Sequence, residues 1–135
     1  MNLEQRLKVL NKIYKLYKDV TKCLDVACKK YCAACCTANV TLTTLEGYLI
    51  AGHMISNGQA DLFGNIQAKI SKNRFKPKIT INRLADLCMK RDDPPEEEKK
   101  HSNKSCPVLK DNLCPIYKVR PFGCRCFMSK HDCSK

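Results

Sequence analysis

The sequence predicts a mainly α-helical protein, a small helical domain whose irregular, cysteine-rich C-terminal segment is clamped by metal. Apolar residues recur at helical spacing through the first 90 residues, prolines interrupt the last 30, and most of the eleven cysteines fall into two groups. A chain of 135 residues is long enough to bury a core of its own. We therefore expect one domain, residues 1–135, with a helical part (1–91), a linker (92–105) and a cysteine-rich tail (106–135).

The first helix is predicted from apolar residues at alternating steps of four and three. They share one helical face: Leu3, Leu7, Leu10, Tyr14 and Tyr17. A second row widens this face, so we expect the helix to be well buried or packed between neighbours; the row is Val9, Ile13, Leu16 and Val20. Neither proline nor glycine occurs in residues 3–36, so the helix could continue into the first cysteine group, with a break near Thr21.

Two further helices follow the first cysteine group. Thr43 and Glu46 have the spacing of a capping box, which predicts the start of a second helix, and Asn57-Gly58 predicts its end. Residues 61–71 carry apolar side chains at helical spacing, which predicts a third amphipathic helix.

A fourth short helix is predicted to begin after Thr80, with Cys88 among its inward-facing residues. Free cysteine behaves as a small hydrophobe, so we interpret Cys88 as a core residue. The linker that follows is charged, interrupted by proline and almost free of apolar residues. In the tail, "KDN" at 110–112 predicts a turn between two short apolar stretches.

The cysteine content indicates metal binding. No apolar run is long enough to span a bilayer, and the first 20 residues lack the features of a secretory signal, so we expect a cytoplasmic protein without a membrane partner. Disulfides are rare in a reducing cytoplasm, and an odd number of cysteines leaves one unpaired. Metal ligation is therefore the leading interpretation of the thiols.

Four cysteines lie in "CKKYCAACC", residues 28–36. On a helix they would fall within an arc of about 100°, an arrangement that a packed stripe of small apolar residues would share. Thiolates lie about 2.3 Å from zinc, whereas Cys28 and Cys35 would be about 10 Å apart along a helix. One straight helix therefore cannot give all four sulfurs to one ion, although Cys32 can chelate together with Cys35 or Cys36. The remaining ligands must come from elsewhere, and the tail supplies Cys106, Cys114 and Cys124.

The charge balance fits such a site. Lys and Arg number 25 and Asp and Glu number 13, which gives a formal charge of +12. A zinc ion with four thiolates carries a formal charge of −2, and nearby cations would offset it. Five cations follow the cysteines closely in sequence: Lys29, Lys30, Lys118, Arg120 and Arg125. Part of the positive charge is therefore explained without nucleic acid.

Taken together, the two cysteine motifs resemble those of the CxxCxxCC family, whose members are expected to chelate zinc or iron and to which the flagellin lysine N-methylase is related. The tail matches C-P-x-L, four residues, then C-x-I-Y-x-x-R-P-x-x-C-R-x-F, from Cys106 to Phe127. The first motif has one extra residue between its first two cysteines. Ala33 and Ala34 stand after its second cysteine, where the family often has glycine. The resemblance covers the two motifs, residues 28–36 and 106–127, and matches loosely between them.

The resemblance implies a mainly helical domain with cysteine-bound zinc or iron, or a 4Fe-4S cluster. The implied ligands are Cys28, Cys32, Cys35, Cys36, Cys106, Cys114 and Cys124, with Cys126 or Cys133 as a candidate eighth thiol. Eight thiols would allow two four-thiolate sites, whereas a single site would leave several cysteines structural. Tyr117 and Phe127 are expected to cover the site as a dry lid. Arg120 and Arg125 would hydrogen-bond sulfurs or backbone carbonyls, or bind a substrate anion.

Three functions follow from this interpretation. The first is a metal-binding protein without catalysis, whose site organises a small domain for an unknown protein partner. The second is an enzyme resembling a protein lysine methylase, with S-adenosylmethionine and an iron–sulfur cluster; Cys28, Cys32 and Cys35 have the C-x-x-x-C-x-x-C spacing of radical enzymes. Two observations argue against such an enzyme: the chain has only five glycines, and it contains no glycine-rich nucleotide-binding fingerprint. The third, a nucleic-acid-binding zinc module, is favoured by charge alone.

Overall fold

The structure is a computed structural model that describes residues 1–70 and 72–133. Its helices are α1 (Leu3–Thr21), α2 (Thr44–Ser56), α3 (Asp61–Lys69), α4 (Ile81–Lys90), a 3₁₀ turn (Tyr117–Val119) and α5 (Phe122–Cys126). The described ranges contain isolated β-bridges but no extended strand. The predicted mainly helical class is confirmed. No helix in these ranges is long and apolar enough to cross a membrane.

Helix α1 begins at a capping box in which Asn2 and Gln5 bond each other's backbone N–H groups, and it ends at Thr21. The predicted break near Thr21 is thus confirmed, whereas a continuous helix through residues 28–36 is wrong. That segment is a series of turns, and Tyr31 has a φ of 69°, which no helix allows. The tail competes for the backbone here, because the Ala27 N–H donates to the Ser129 carbonyl at 2.8 Å. The four cysteines of residues 28–36 therefore do not have the helical spacing that the sequence suggested.

Only one face of α1 is covered by the rest of the fold. Tyr14 is buried, and Leu7, Leu10 and Tyr17 are half-buried. The second apolar row, which the sequence predicts to be buried, is exposed; its members are Val9, Ile13, Leu16 and Val20. That prediction is wrong because α2 and the tail pack on a single side of α1, and periodicity alone does not reveal how many neighbours a helix has.

Helix α2 carries the centre of the core. Its start at the Thr43–Glu46 capping box and its end at Asn57-Gly58 are confirmed. Ile50 and Met54 pack against Ile116 of the tail. Around them lie partly buried residues from α3 and the tail: Leu62, Ile66, Val108, Cys114 and Val119. The tail is therefore part of the core that α2 and α3 also build.

The predicted third and fourth helices are present, and one detail of the fourth is corrected. Helix α3 ends at Lys69; Ser71, the last residue of the predicted range, lies outside the described residues. Helix α4 is capped by Thr80 as predicted and buries Leu87. Cys88 is exposed and not in the core, because it lies about 100° around the helix from Leu87.

Residues 92–101 of the predicted linker are exposed without helix or strand, whereas Ser102 is buried.

A buried carboxylate joins three elements. The Glu46 side chain is 4% exposed and accepts four hydrogen bonds. Oε1 accepts from the Tyr14 hydroxyl on α1 at 2.8 Å and from the Phe122 N–H of α5 at 2.6 Å. Oε2 accepts from the backbone N–H and hydroxyl of Thr43 at 2.8 and 3.0 Å. Burial acts to raise the pKa of Glu46, but these bonds outweigh it and lower the pKa below its ordinary value. The carboxylate is therefore ionised and fully hydrogen-bonded.

We expect Glu46→Gln to lower the free energy of unfolding by about 2 kcal/mol, measured by urea denaturation at neutral pH. An amide has one acceptor oxygen, so its NH₂ group would face the Phe122 or Thr43 N–H and leave a buried donor unsatisfied. Because the folded pKa is lowered, the ionised carboxylate stabilises the fold above the ordinary carboxyl pKa. Its contribution is lost as the pH falls through the folded value, so the difference from wild type should shrink below about pH 4.3.

The matched control is Glu4→Gln, which changes an exposed carboxylate in an ion pair with Lys8. Its effect should stay within about 0.5 kcal/mol. Equal losses for the two variants would contradict the role given to Glu46.

Candidate metal centre

The tail contains two similar turns, each opened by a Cys-Pro pair. The Leu109 N–H donates to the Cys106 carbonyl, and the Tyr117 N–H donates to the Cys114 carbonyl, both at 3.1 Å. In the second turn the Ile116 N–H also bonds the Cys114 thiol, an interaction that favours its thiolate form. Proline suits the second position of such turns because its φ is already fixed.

A tight hairpin separates the two Cys-Pro turns. Lys110 and Leu113 exchange both backbone hydrogen bonds, at 2.9 and 2.8 Å. Between them Asp111 and Asn112 have φ values of 49° and 59°, the left-handed conformation that these two residue types tolerate and that a two-residue hairpin needs. The predicted turn at 110–112 is confirmed. It reverses the chain between the two turns and so folds them back towards each other.

Backbone pairing joins the first cysteine motif to the tail. The Cys106 N–H donates to the Cys36 carbonyl at 2.8 Å, and the Ala38 N–H donates to the Lys104 carbonyl at 2.9 Å. These bonds flank an antiparallel bridge between Thr37 and Ser105. Two cysteines that are 70 positions apart in the sequence are therefore neighbours in the fold.

The side chain of Asn39 fixes this pairing. Its Oδ1 accepts from the N–H groups of Ser102 at 2.7 Å and Phe75 at 3.1 Å. Its Nδ2 donates to the Ser102 carbonyl at 2.8 Å. One amide thus holds three chain segments together. Its Nδ2 also donates to the nearby Thr37 hydroxyl at 3.2 Å. The sequence gives no signal for the joining role, because the partners in the other two segments are 36 and 63 residues away.

Helix α5 contributes a further thiol, that of Cys124. The helix is held by the bond from its first N–H, that of Phe122, to Glu46. The Phe122 ring also contacts the Tyr17 ring edge-on, with centroids 4.8 Å apart. The carboxylate at the centre of the fold thereby fixes the helix that carries Cys124.

Three thiols, those of Cys36, Cys114 and Cys124, have raised pKa values, in part because of negative charge on thiols nearby. Burial is the largest cause in each case: it raises the pKa of Cys36 to about 11, that of Cys124 to about 12, and that of Cys114. Negative charge on neighbouring thiols adds to this effect. Cys35, Cys106 and Cys114 act on Cys36, Cys106 acts on Cys114, and Cys36, Cys106 and Cys114 act on Cys124. We call Cys36, Cys106, Cys114 and Cys124 the inner thiols.

Arg120 provides positive charge at the inner thiols. Its guanidinium acts to lower the pKa of both Cys114 and Cys124, and it lies 4.0 Å above the Tyr117 ring. Its Nε is buried and has no hydrogen-bond partner in the part of the chain that the structure describes. The guanidinium therefore combines a charge that acts on two of the inner thiols with a buried donor that is still unsatisfied.

Arg125 has a different role from Arg120. Its Nε and Nη2 donate to the carbonyls of Arg120 and Lys118, both at 2.9 Å. Its guanidinium also lies 3.9 Å above the Tyr14 ring. Of the roles considered for it, hydrogen bonding to backbone carbonyls is the one that the contacts support.

The other candidate ligands have different surroundings. The Cys28 thiol accepts from the Ser129 N–H at 3.3 Å. Cys32 and Cys133 line an open cleft of about 420 Å³, whose lysines include Lys29, paired with Asp132 at 3.2 Å. Cys35 is exposed and adjacent to Cys36, whose pKa it helps to raise. The eight predicted ligands therefore divide into the inner thiols and a more dispersed outer group.

Within residues 1–70 and 72–133, no three Cys, His, Asp or Glu side chains are arranged closely enough to hold a metal ion. All eleven cysteines in these ranges are free thiols. Tyr117 and Phe127 are 59% and 61% exposed, so neither ring forms the dry lid that the motif suggested.

Comparisons with known proteins found no match: no protein-family model, curated protein or solved structure matches the chain. The resemblance to the CxxCxxCC family therefore stays a prediction that rests on the two motifs.

We expect Asn39→Ala to lower the free energy of unfolding by about 2 kcal/mol, because it leaves the buried Ser102 N–H and the Phe75 N–H without an acceptor. The variant should also react faster with a thiol-alkylating reagent at Cys36 and Cys106, measured by mass spectrometry of labelled peptides. Asn65→Ala changes an exposed asparagine on α3 and serves as the control for both measurements. Unchanged labelling at the two cysteines would contradict the role of Asn39 in holding the paired segments.

Proposed function

We propose that this protein binds zinc or iron through the inner thiols, and that the metal joins the first cysteine motif to the tail. One observation carries the proposal. Thiols from sequence positions 36, 106, 114 and 124 are brought to one region, where each shifted pKa is raised partly by the charge of at least one of the others. A bound cation would relieve that repulsion.

The chemistry of the donor set supports the proposal. Thiolate sulfur is a preferred ligand of zinc and of iron–sulfur clusters. Two features around the set favour thiolates: the Arg120 guanidinium and the Ile116 N–H that bonds Cys114. A metal bound here would act structurally, because its binding free energy would add to the stability of the fold.

The competing explanation is that the thiols simply fill space as small apolar side chains. Core cysteines are typically fully buried. All four inner thiols belong to residues that are only half-buried. Different backbone elements also position the four thiols. Cys36 and Cys106 are joined by a backbone hydrogen bond, Cys106 and Cys114 begin the two Cys-Pro turns, and Cys124 lies on α5. Partial burial of four thiols is more readily explained by ligation than by packing.

The first test is metal content after anaerobic purification, measured by inductively coupled plasma mass spectrometry. We expect wild-type protein to contain zinc or iron, with a brown colour if the metal is an iron–sulfur cluster. Cys36→Ser, Cys106→Ser, Cys114→Ser and Cys124→Ser should each lose most of the metal. Cys23→Ser and Cys88→Ser change exposed cysteines outside both motifs and should retain it.

Wild-type protein that is free of both metals, and that takes up none on addition, would refute the proposal. Equal metal loss in the control variants would show that the inner thiols are not the specific ligands.

The second test is the pH dependence of metal affinity, measured by competition with a chelator between about pH 6 and 8. Cys36 and Cys124, with pKa values of about 11 and 12, are protonated throughout this range. Metal binding to their thiolates must release at least two protons, so the apparent affinity should rise at least about 100-fold per pH unit. Cys124→Ser should reduce that dependence by about tenfold per unit, and Cys88→Ser should leave it unchanged. An affinity independent of pH would contradict ligation by these thiols.

The methylase-like enzyme and the nucleic-acid-binding module stay predictions from the sequence. No contact among the inner thiols favours either of these two functions.

A further inference from the structure

The exposed apolar row of α1 forms a narrow seam. Val9, Ile13, Leu16 and Val20 are 45%, 47%, 65% and 63% exposed. They follow one another at steps of four, three and four, so on an α-helix they lie within an arc of about 60°. A bilayer-binding helix presents a broader apolar face, whereas a strip this narrow has the width of a coiled-coil seam.

The residue types agree with helix pairing. In a heptad register, Ile13 and Val20 occupy a positions, and Val9 and Leu16 occupy d positions. β-Branched residues at a and leucine at d are typical of two-helix coiled coils. The seam therefore has the size and composition to receive one other helix.

The charges beside the seam indicate which helix would pack against it. Lys12 and Asp19 lie on the same flank, at equivalent positions of successive heptads and on opposite sides of the middle of the seam. Both are exposed, and neither forms an ion pair within the described ranges. On the other flank, Leu10 and Tyr17 are half-buried against the protein's own body. The exposed flank thus carries one positive and one negative charge. If two antiparallel copies of α1 are related by a two-fold axis, the positive charge of each copy lies beside the negative charge of the other.

An antiparallel second copy of α1 would cover the apolar seam and would also pair the charges on its exposed flank. Ile13 of each copy would pack on Leu16 of the other, and Val9 on Val20. The same rotation brings Lys12 of each copy to Asp19 of the other, so that two equivalent ion pairs form, as an isologous interface requires. We propose that this protein forms a two-fold dimer through antiparallel pairing of α1. The proposal is independent of metal binding, because the residues that carry it lie outside both cysteine motifs.

The test is the mass of the full chain in solution, measured by sedimentation equilibrium under anaerobic, reducing conditions that prevent intermolecular disulfides. We expect wild-type protein to dimerise reversibly. Leu16→Glu should raise the dissociation constant at least about tenfold, because it puts a charge into the seam. Lys12→Glu and Asp19→Lys should each weaken the dimer, because each creates like charges across the interface. The double variant should restore the dimer.

Lys15→Glu makes the same charge change away from the seam and serves as the control. Circular dichroism should find all variants folded, because the altered side chains are exposed. A wild-type protein that remains monomeric up to about 1 mM, the dissociation constant of a very weak complex, would overturn the proposal. A dimer that Leu16→Glu leaves intact would show that another surface forms it. A double variant no tighter than the single ones would overturn the antiparallel arrangement.

Discussion

The Glu46 carboxylate is the contact on which the arrangement of the molecule depends. It begins α2, receives the hydroxyl of Tyr14 from α1, and binds the first N–H of α5. Four donors surround this one buried charge. Because they belong to three elements, the free-energy cost of removing the carboxylate from water is offset only while all three elements remain in place. Because α5 carries Cys124, the same carboxylate also fixes one side of the candidate metal centre.

The rest of that centre is organised by backbone hydrogen bonds in irregular chain. Residues 28–36 form turns, residues 36–38 pair with 104–106, and a tight hairpin folds the tail back on itself. Turns suit a set of thiols that must converge from several directions, since a helix would spread them along its axis. The proposed metal would complete this arrangement by linking Cys36 to the tail at Cys106, Cys114 and Cys124.

Charged side chains have three different roles in the structure. Arg120 faces the inner thiols, and Arg125 holds backbone carbonyls of the tail. The charged side chains of α1 border an exposed apolar seam instead, where they would select the orientation of a partner helix. The overall charge of +12 therefore does not describe a single basic surface.

Several local features were determined by the sequence itself. The capping box of α2, the Thr80 cap and the Asp111-Asn112 turn were all predictable because their hydrogen bonds join residues at most three positions apart. Tertiary structure decided the rest. It left the second row of α1 and Cys88 exposed, it placed the Cys28 thiol against the Ser129 N–H, and it placed Cys32 and Cys133 in an open cleft. Which thiols meet depends on contacts between residues 60 to 110 positions apart, such as those of Asn39 and Glu46, and the spacing of cysteines within a motif carries no information about those contacts.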